Sequence, residues 1–176
     1  MTDIILEKPD HHIGIESLLD QAFGQNRYQK TSYQYRQSIP PVKDLCHVIV
    51  ENDQVIATIR YWQILIDQHP ISTLLLGPIA VAKSHRGLGL GLKLGHYTLN
   101  KAAELGYELA FLVGDIAYYQ RFGFEFSSPY GFVMPNEKAE RLLVKELNNL
   151  TTFLKNINSE VKATLLPLKS NNIQVA

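Results

Sequence analysis

The sequence predicts an α/β fold of the α+β type, a mixed sheet with helices packed against it. Two observations carry this. His47–Glu51 and Val55–Trp62 are β-rich runs around Asn52-Asp53, the pattern of an antiparallel hairpin. Further on, an apolar run (Leu74–Val81), a glycine-rich turn, an amphipathic stretch (Leu90–Leu105) and a second apolar run (Leu109–Val113) make a βαβ unit. Such a crossover joins parallel strands, so hairpin and crossover in one chain imply a mixed sheet. The length, 176 residues with 45% hydrophobic, suits one domain with a sizeable core. That domain is expected to span residues 1–168, with 169–176 a polar tail that frays.

Taken in order, Ile4-Ile5-Leu6 reads as a short strand. Pro9-Asp10 starts a helix with Ile13, Leu18, Leu19, Ala22 and Phe23 as its apolar face, and Gly24 ends it. Residues 25–43 are polar and tyrosine-rich and suit a short helix or an ordered loop. The continuous apolarity of Leu74–Val81 predicts a central strand. In the next helix Leu92, Leu99 and Ala103 line one face, and Leu90, Leu94 and Tyr97 an adjoining one. Lys93, His96, Asn100 and Glu104 form its polar stripe, and Gly106 its C-terminal cap. Gly114-Asp115 stops the Leu109–Val113 strand. A short helix, Ala117–Phe122, ends at Gly123, and a strand with Phe124 and Phe126 follows. Residues 141–147 suit either strand or helix.

Composition narrows the function classes. Seventeen basic and seventeen acidic side chains cancel, which argues against a nucleic-acid or membrane-surface role. The single cysteine, Cys46, allows no disulfide framework and no cysteine-based zinc site, and the six histidines have no metal-ligand spacing. Cys46-His47 is no thiol–imidazole pair, because neighbours on a strand point to opposite faces. Without a signal-peptide pattern or an apolar run of membrane-spanning length, a cytoplasmic protein is the expectation.

The chemistry concentrates at His85-Arg86-Gly87-Leu88-Gly89-Leu90-Gly91. A glycine-rich strand-to-helix turn leaves backbone N–H groups free at a helix N-terminus, where the helix dipole also favours an anion. Glycine lets the anion approach the backbone. Taken alone the turn is equally an ordinary connection. A dinucleotide fingerprint needs glycines at its first, third and sixth positions. Counting from Gly87 the sixth residue is Leu92, and from Gly89 it is Leu94, so both frames fail. A P-loop fails for want of Gly-Lys-Ser/Thr. Lys83, Arg86 and Lys93 could supply local positive charge.

Two segments together resemble the GNAT superfamily of acetyl-CoA-dependent N-acetyltransferases. Arg86-Gly87-Leu88-Gly89-Leu90-Gly91 matches the family's Gln/Arg-x-x-Gly-x-Gly/Ala after the fourth strand. Tyr119-Gln120-Arg121-Phe122-Gly123-Phe124 matches its tyrosine four residues before Gly-Phe. The two motifs cover residues 74–126. Leu76–Val81 with Gly114–Tyr119 is similar to a subgroup of predicted bacterial acetyltransferases that mostly lack an assigned substrate. The chain departs from the wider pattern where Gly114-Asp115 stands in place of an asparagine and Lys83 in place of a proline.

The resemblance implies a mostly antiparallel twisted sheet flanked by helices, with the βαβ unit at the cofactor. It implies transfer of an acetyl group from acetyl-CoA to a primary amine of a small molecule or protein, by direct attack. The amides of Arg86, Gly87, Leu88, Gly89, Leu90 and Gly91 would hold the pyrophosphate. Ile79, Ala80 and Val81 would receive the pantetheine arm like an added strand. The Val81 amide would be the oxyanion donor, and Tyr119 the general acid beside the cofactor. Tyr118 competes for that role, since adjacent helical positions do not share a face. By itself Tyr119 reads as a packing aromatic; the paired motifs favour the acid. No general base is assigned: Glu51, Asp115 and His85 are candidates that read equally as solvated or capping residues. A homodimer is a family expectation. The competing reading is a GNAT fold that binds CoA or acyl-CoA without turnover.

Overall fold

The computed structural model describes residues 3–37, 39–148, 153–157 and 162–168, so the expected tail lies outside the described residues. Its strands are β1 (Ile4–Leu6), β2 (His47–Glu51), β3 (Gln54–Ile66), β4 (His69–Val81), β5 (Leu109–Val113), β6 (Glu125–Phe126), β7 (Phe132–Val133), β8 (Leu142–Glu146) and β9 (Ala163–Pro167). The helices are α1 (His12–Phe23), α2 (Thr31–Gln34), α3 (Leu90–Glu104), α4 (Ile116–Tyr119) and α5 (Phe153–Asn156). The sheet runs β1-β2-β3-β4-β5-β8-β6. Along that path only β4 and β5 pair in parallel, as the crossover through α3 requires. β9 joins the far half of β3, and β7 pairs with β9.

Asn52 and Asp53 both have positive φ, 48° and 59°, the backbone that a tight hairpin between right-twisted strands demands. A second hairpin turns at Asp67-Gln68, so β4 begins at His69, five residues before the apolar run that announces it. Within residues 141–147, Leu142–Glu146 forms a strand, β8. The helix expected at Ala117–Phe122 starts at Ile116 and tightens to a 3₁₀ turn over Gln120–Phe122.

The sheet is covered on both faces. Ile15, Leu18 and Leu19 of α1 pack with Val48 and Ala80. On the other face Leu90, Leu94, Leu99 and Ala102 of α3 pack with Ile49, Ile59, Tyr61 and Leu74. The alternation of Val48 against Ile49 follows the two-residue strand period. Two expected apolar faces are corrected. Ile13 is 82% exposed, because the buried stripe of α1 runs through 15, 18 and 19 and residue 13 falls off it. In α3, Tyr97 is exposed while Gly91, Gly95 and Thr98 join the buried stripe. The Thr98 hydroxyl is accommodated by the Leu94 carbonyl and the Tyr61 hydroxyl, both at 2.8 Å.

A charge network ties the segment after α1 to the sheet. Arg27, buried to 1% exposure, donates to Glu16, Asp20 and the Tyr33 hydroxyl. Arg60 of β3 donates to Glu7 and to the other oxygen of Glu16. Burial works to raise the Glu16 pKa, but the hydrogen bonds from Arg27 and Tyr28 and the charges of Arg27 and Arg60 outweigh it and hold the carboxyl below its usual value. Glu16→Ala should cost about 2 kcal/mol, since two arginines lose a shared partner but keep Asp20 and Glu7. A carboxyl with a depressed folded pKa stabilises fully above about pH 5 and loses that contribution as pH falls through its folded value. Urea unfolding at pH 7 and below pH 4 should therefore show the gap between wild type and variant narrowing in acid.

Candidate active site

The site forms where β4 and β5 part. Their parallel pairing covers Thr73–Leu75 against Leu109–Phe111. β4 then continues to Val81 without a β5 partner. The register against β3 shifts between Ile59 and Tyr61, so β4 carries one extra residue at Gly77-Pro78. Gly77 has φ +115°, a conformation suited to glycine, and proline is tolerated at such a bulge.

Beyond the bulge, β3 and β4 pair Ile59↔Ile79, Thr58↔Ala80 and Ala57↔Val81. The Ala82 N–H donates to the Ile56 carbonyl at 2.8 Å, which makes Ala57↔Val81 a non-hydrogen-bonded pair. By alternation, the N–H and C=O of Ile79 and Val81 point away from β3, into the gap left by β5. The gap is a cavity of about 390 Å³ lined by Ile79, Ala80, Val81, the glycine turn, Tyr118 and Tyr119.

The glycine turn has an open, left-handed backbone at two positions. Gly87 and Gly89 have φ of +85° and +76°, and a Cβ on either would meet open space. Their need for glycine is therefore conformational, not one of protein packing. The helical ladder begins with Lys93 N–H donating to the Gly89 carbonyl at 2.9 Å. The amides just before Lys93 precede that ladder. Arg86 folds back, its Nε 3.4 Å from the Val81 carbonyl. Leu88 is 67% exposed and absent from the cavity wall, so among the expected pyrophosphate contacts it could contribute only backbone.

Tyr118 and Tyr119 diverge. A Cβ on Gly91 would come within 2.6 Å of the Tyr118 hydroxyl, so Tyr118 reaches toward the start of α3. The Tyr119 ring lies against Gly114, where a Cβ would fall 2.3 Å from Cε2. Tyr119 also lines a second cavity of about 390 Å³, bounded by Lys30, Arg36, Gly77, Pro78, Asn136 and Arg141 among others. The two cavities share Phe23, Ile79 and Tyr119. Burial pushes the Tyr119 hydroxyl up to about 12, with Tyr118 adding and Arg36 and Arg141 pulling back.

Of the candidate bases only His85 lines the first cavity, and His85 and Asp115 are each hydrogen-bonded to neighbours. His85 Nε2 lies 2.9 Å from Glu51, and its Nδ1 2.8 Å from the Ser84 hydroxyl, all at the surface. Asp115 caps α4 by accepting from the Ala117 N–H. Among the described residues, no group of His, Cys, Asp and Glu could hold a metal, and no helix is long and apolar enough to cross a membrane.

A family model described as "Acetyltransferase (GNAT) domain" matches residues 4–127. The chain belongs to the GNAT acetyltransferase family. The uncharacterized N-acetyltransferase YhbS of Escherichia coli K12 is 29% identical over 126 residues, 71% of this chain and 74% of that protein. The crystal structure of E. coli YhbS in complex with CoA superposes with a TM-score of 0.79 at 22% identity, over 99% of this chain and 94% of that one. A Brucella melitensis GNAT acetyltransferase in complex with acetyl-CoA gives a TM-score of 0.58 at 26% identity, over 71% and 83%. The mixed, mostly antiparallel sheet flanked by helices is that of these relatives.

Sequence reading missed the second cavity and the close packing of Gly95 on Phe122 and Gly114 on Tyr119. A Cβ on Gly95 would lie 2.2 Å from the Phe122 ring. Gly95→Ala and Gly114→Ala should each destabilise by about 1–3 kcal/mol through overpacking, read as a lowered Tm. Gly114→Ala should also move the Tyr119 ring, visible in its NMR shifts.

Proposed function

We propose that this protein transfers an acetyl group from acetyl-CoA to a primary amine by direct attack. The observation that carries the reading is the meeting of two separate cavities at Tyr119, one walled by the glycine turn and the open edge of β4. That arrangement suits a donor and an acceptor entering from opposite sides. A module that only bound CoA would have no use for the second cavity.

The chain's own groups then divide the work. Amides of the 86–91 turn hold the pyrophosphate, and the outward backbone groups of Ile79 and Val81 hold the pantetheine arm as an added strand. Acetyl-CoA supplies an acyl carbon activated as a thioester. The amine nitrogen bonds to that carbon while the C–S bond breaks, and the surplus amine proton leaves to solvent. The Val81 N–H faces the negative charge that develops on the acyl oxygen; one such donor contributes roughly 3–4 kcal/mol.

Tyr119 occupies the general-acid position. With its hydroxyl near 12 and a thiol near roughly 8.5, complete proton transfer is uphill by about 3.5 units, roughly 5 kcal/mol. Tyr119 therefore works chiefly by donating a hydrogen bond to the departing thiolate, which takes its proton from solvent afterwards.

Acetyl-CoA should raise the Tm by mass action, and amine-dependent thiol release should report turnover. No shift at millimolar acetyl-CoA would reject the reading, and Gly89→Glu should abolish the shift. Tyr119→Phe should lower kcat by about 10–100-fold with acetyl-CoA affinity kept. Because the raised pKa of about 12 keeps the Tyr119 proton in place through pH 10, kcat/KM should climb as the amine deprotonates and show no Tyr119-dependent fall up to pH 10. A fall near pH 9 that vanished in Tyr119→Phe would refute this assignment.

A further inference from the structure

The second cavity is lined by an arginine with two guanidinium nitrogens that lack an acceptor. Arg36 lies just after α2, and its Nε and Nη1 are buried with no hydrogen-bond partner. Its guanidinium stacks over the Tyr33 ring at 4.4 Å and the Trp62 ring at 5.2 Å. Aromatic faces attract a cation but accept none of its planar N–H donors in line. A buried charge in that condition is costly, so it calls for a compensating partner.

The surroundings carry the same sign. Lys30, Lys138 and Arg141 line the same cavity, and none of them is in a salt bridge among the described residues. Among the described residues the one carboxylate in the wall, Glu137, accepts from the Lys138 amide at 3.1 Å. Arg36 approaches the bulge closely: its Nη2 would be 3.3 Å from a Cβ on Gly77. It is thus two residues along β4 from Ile79, where the two cavities join. Its field also reaches the Tyr119 hydroxyl.

We propose that the acetyl acceptor is a small amine that also carries a carboxylate, and that Arg36 receives this carboxylate at the wall of the second cavity. This rests on the reading of that cavity as the acceptor site. A guanidinium fork matches a planar carboxylate, and the cavity of about 390 Å³ has room for a small molecule. Lys30, Lys138 and Arg141 then act as the cationic approach, and the ammonium end is left to lose its proton beside Tyr119. An amine without an anionic group would meet an excess of positive charge and leave Arg36 unpaired.

The test uses the full chain with CoA bound and a panel of probes: glycine, β-alanine, 4-aminobutyrate and glutamate, each beside its carboxamide. Binding is read as a thermal shift, and turnover with acetyl-CoA as thiol release. At least one acid should stabilise the protein and exceed its carboxamide by tenfold or more in kcat/KM. Arg36→Met should bring that ratio toward one, and Arg36→Lys should keep part of it. Acetyl-CoA affinity, measured on each variant, reports whether the fold and donor site are intact. The proposal is overturned if no acid stabilises the CoA-bound protein, if carboxamides match their acids, or if Arg36→Met keeps the preference. Acid-dependent stabilisation without thiol release would keep the carboxylate site and reject acetyl transfer; failure of acetyl-CoA to bind would reject the donor site.

Discussion

The separation of β4 from β5 is the constraint on which the rest of the molecule depends. Two parallel strands paired along their full length would satisfy each other's backbone and leave nothing for a ligand. Here pairing stops at Leu75–Phe111, and the extra residue at Gly77-Pro78 redirects β4 before it reaches α3. The bulge also sets which peptide groups of β4 face the gap. Shifting the register by one residue would turn Ala80 toward it and Ile79 and Val81 back toward β3. It would also place the Ala80 side chain, now against α1, on the α3 face.

Around that gap the small residues and the aromatics are complementary. Gly91 admits the Tyr118 hydroxyl, Gly95 the Phe122 ring and Gly114 the Tyr119 ring. Tyr118, Tyr119, Phe122 and Phe124 pack mostly edge to face, with centroids 5.0 to 6.2 Å apart. The short α4 is therefore positioned by its aromatic packing against α3 and the end of β5 more than by its own single turn. The two tyrosines both line the first cavity, from different directions. Consecutive residues on one turn diverge, and each enters the space opened by a different glycine.

Much of this was legible in the sequence because it depends on local chemistry. Asn52-Asp53 specifies a tight hairpin, the glycines of 87–91 a positive-φ turn, and the apolar period an amphipathic α3. The motif pair around Gly89 and Tyr119 pointed to the family. What was not legible depends on distant partners. Gly95 lies inside a helix, where glycine alone signals only weakness; its purpose is the Phe122 ring, 27 residues on. Gly77-Pro78 was hidden inside an apolar run that reads as an uninterrupted strand. Ile13 has the right chemistry for a core face, but the phase of α1 is set by contact with Val48 and Ala80. The second cavity is assembled from the segment around α2, the bulge, and residues 136–141, which no single window contains.

The two arginines of the segment after α1 show how differently one stretch of chain can treat a charge. Arg27 is 1% exposed and meets two carboxylates and a tyrosine hydroxyl. Arg36, nine residues later, turns into a cavity with aromatic faces on it and no acceptor for Nε or Nη1. Tyr33 stands between them, accepting from Arg27 with its hydroxyl and lying under Arg36 with its ring. The acceptors around Arg27 anchor this segment to α1, and through Glu16 to Arg60 of β3. That anchor allows an unpaired guanidinium to be held beside Gly77 without the segment relaxing to relieve it. Burial pulls the Arg36 pKa down to about 10 against the opposing pull of Tyr33, which still leaves it charged at neutral pH. The stability invested in the first arginine thus pre-organises the second, in the same sense that a paired scaffold holds a binding group ready for its ligand.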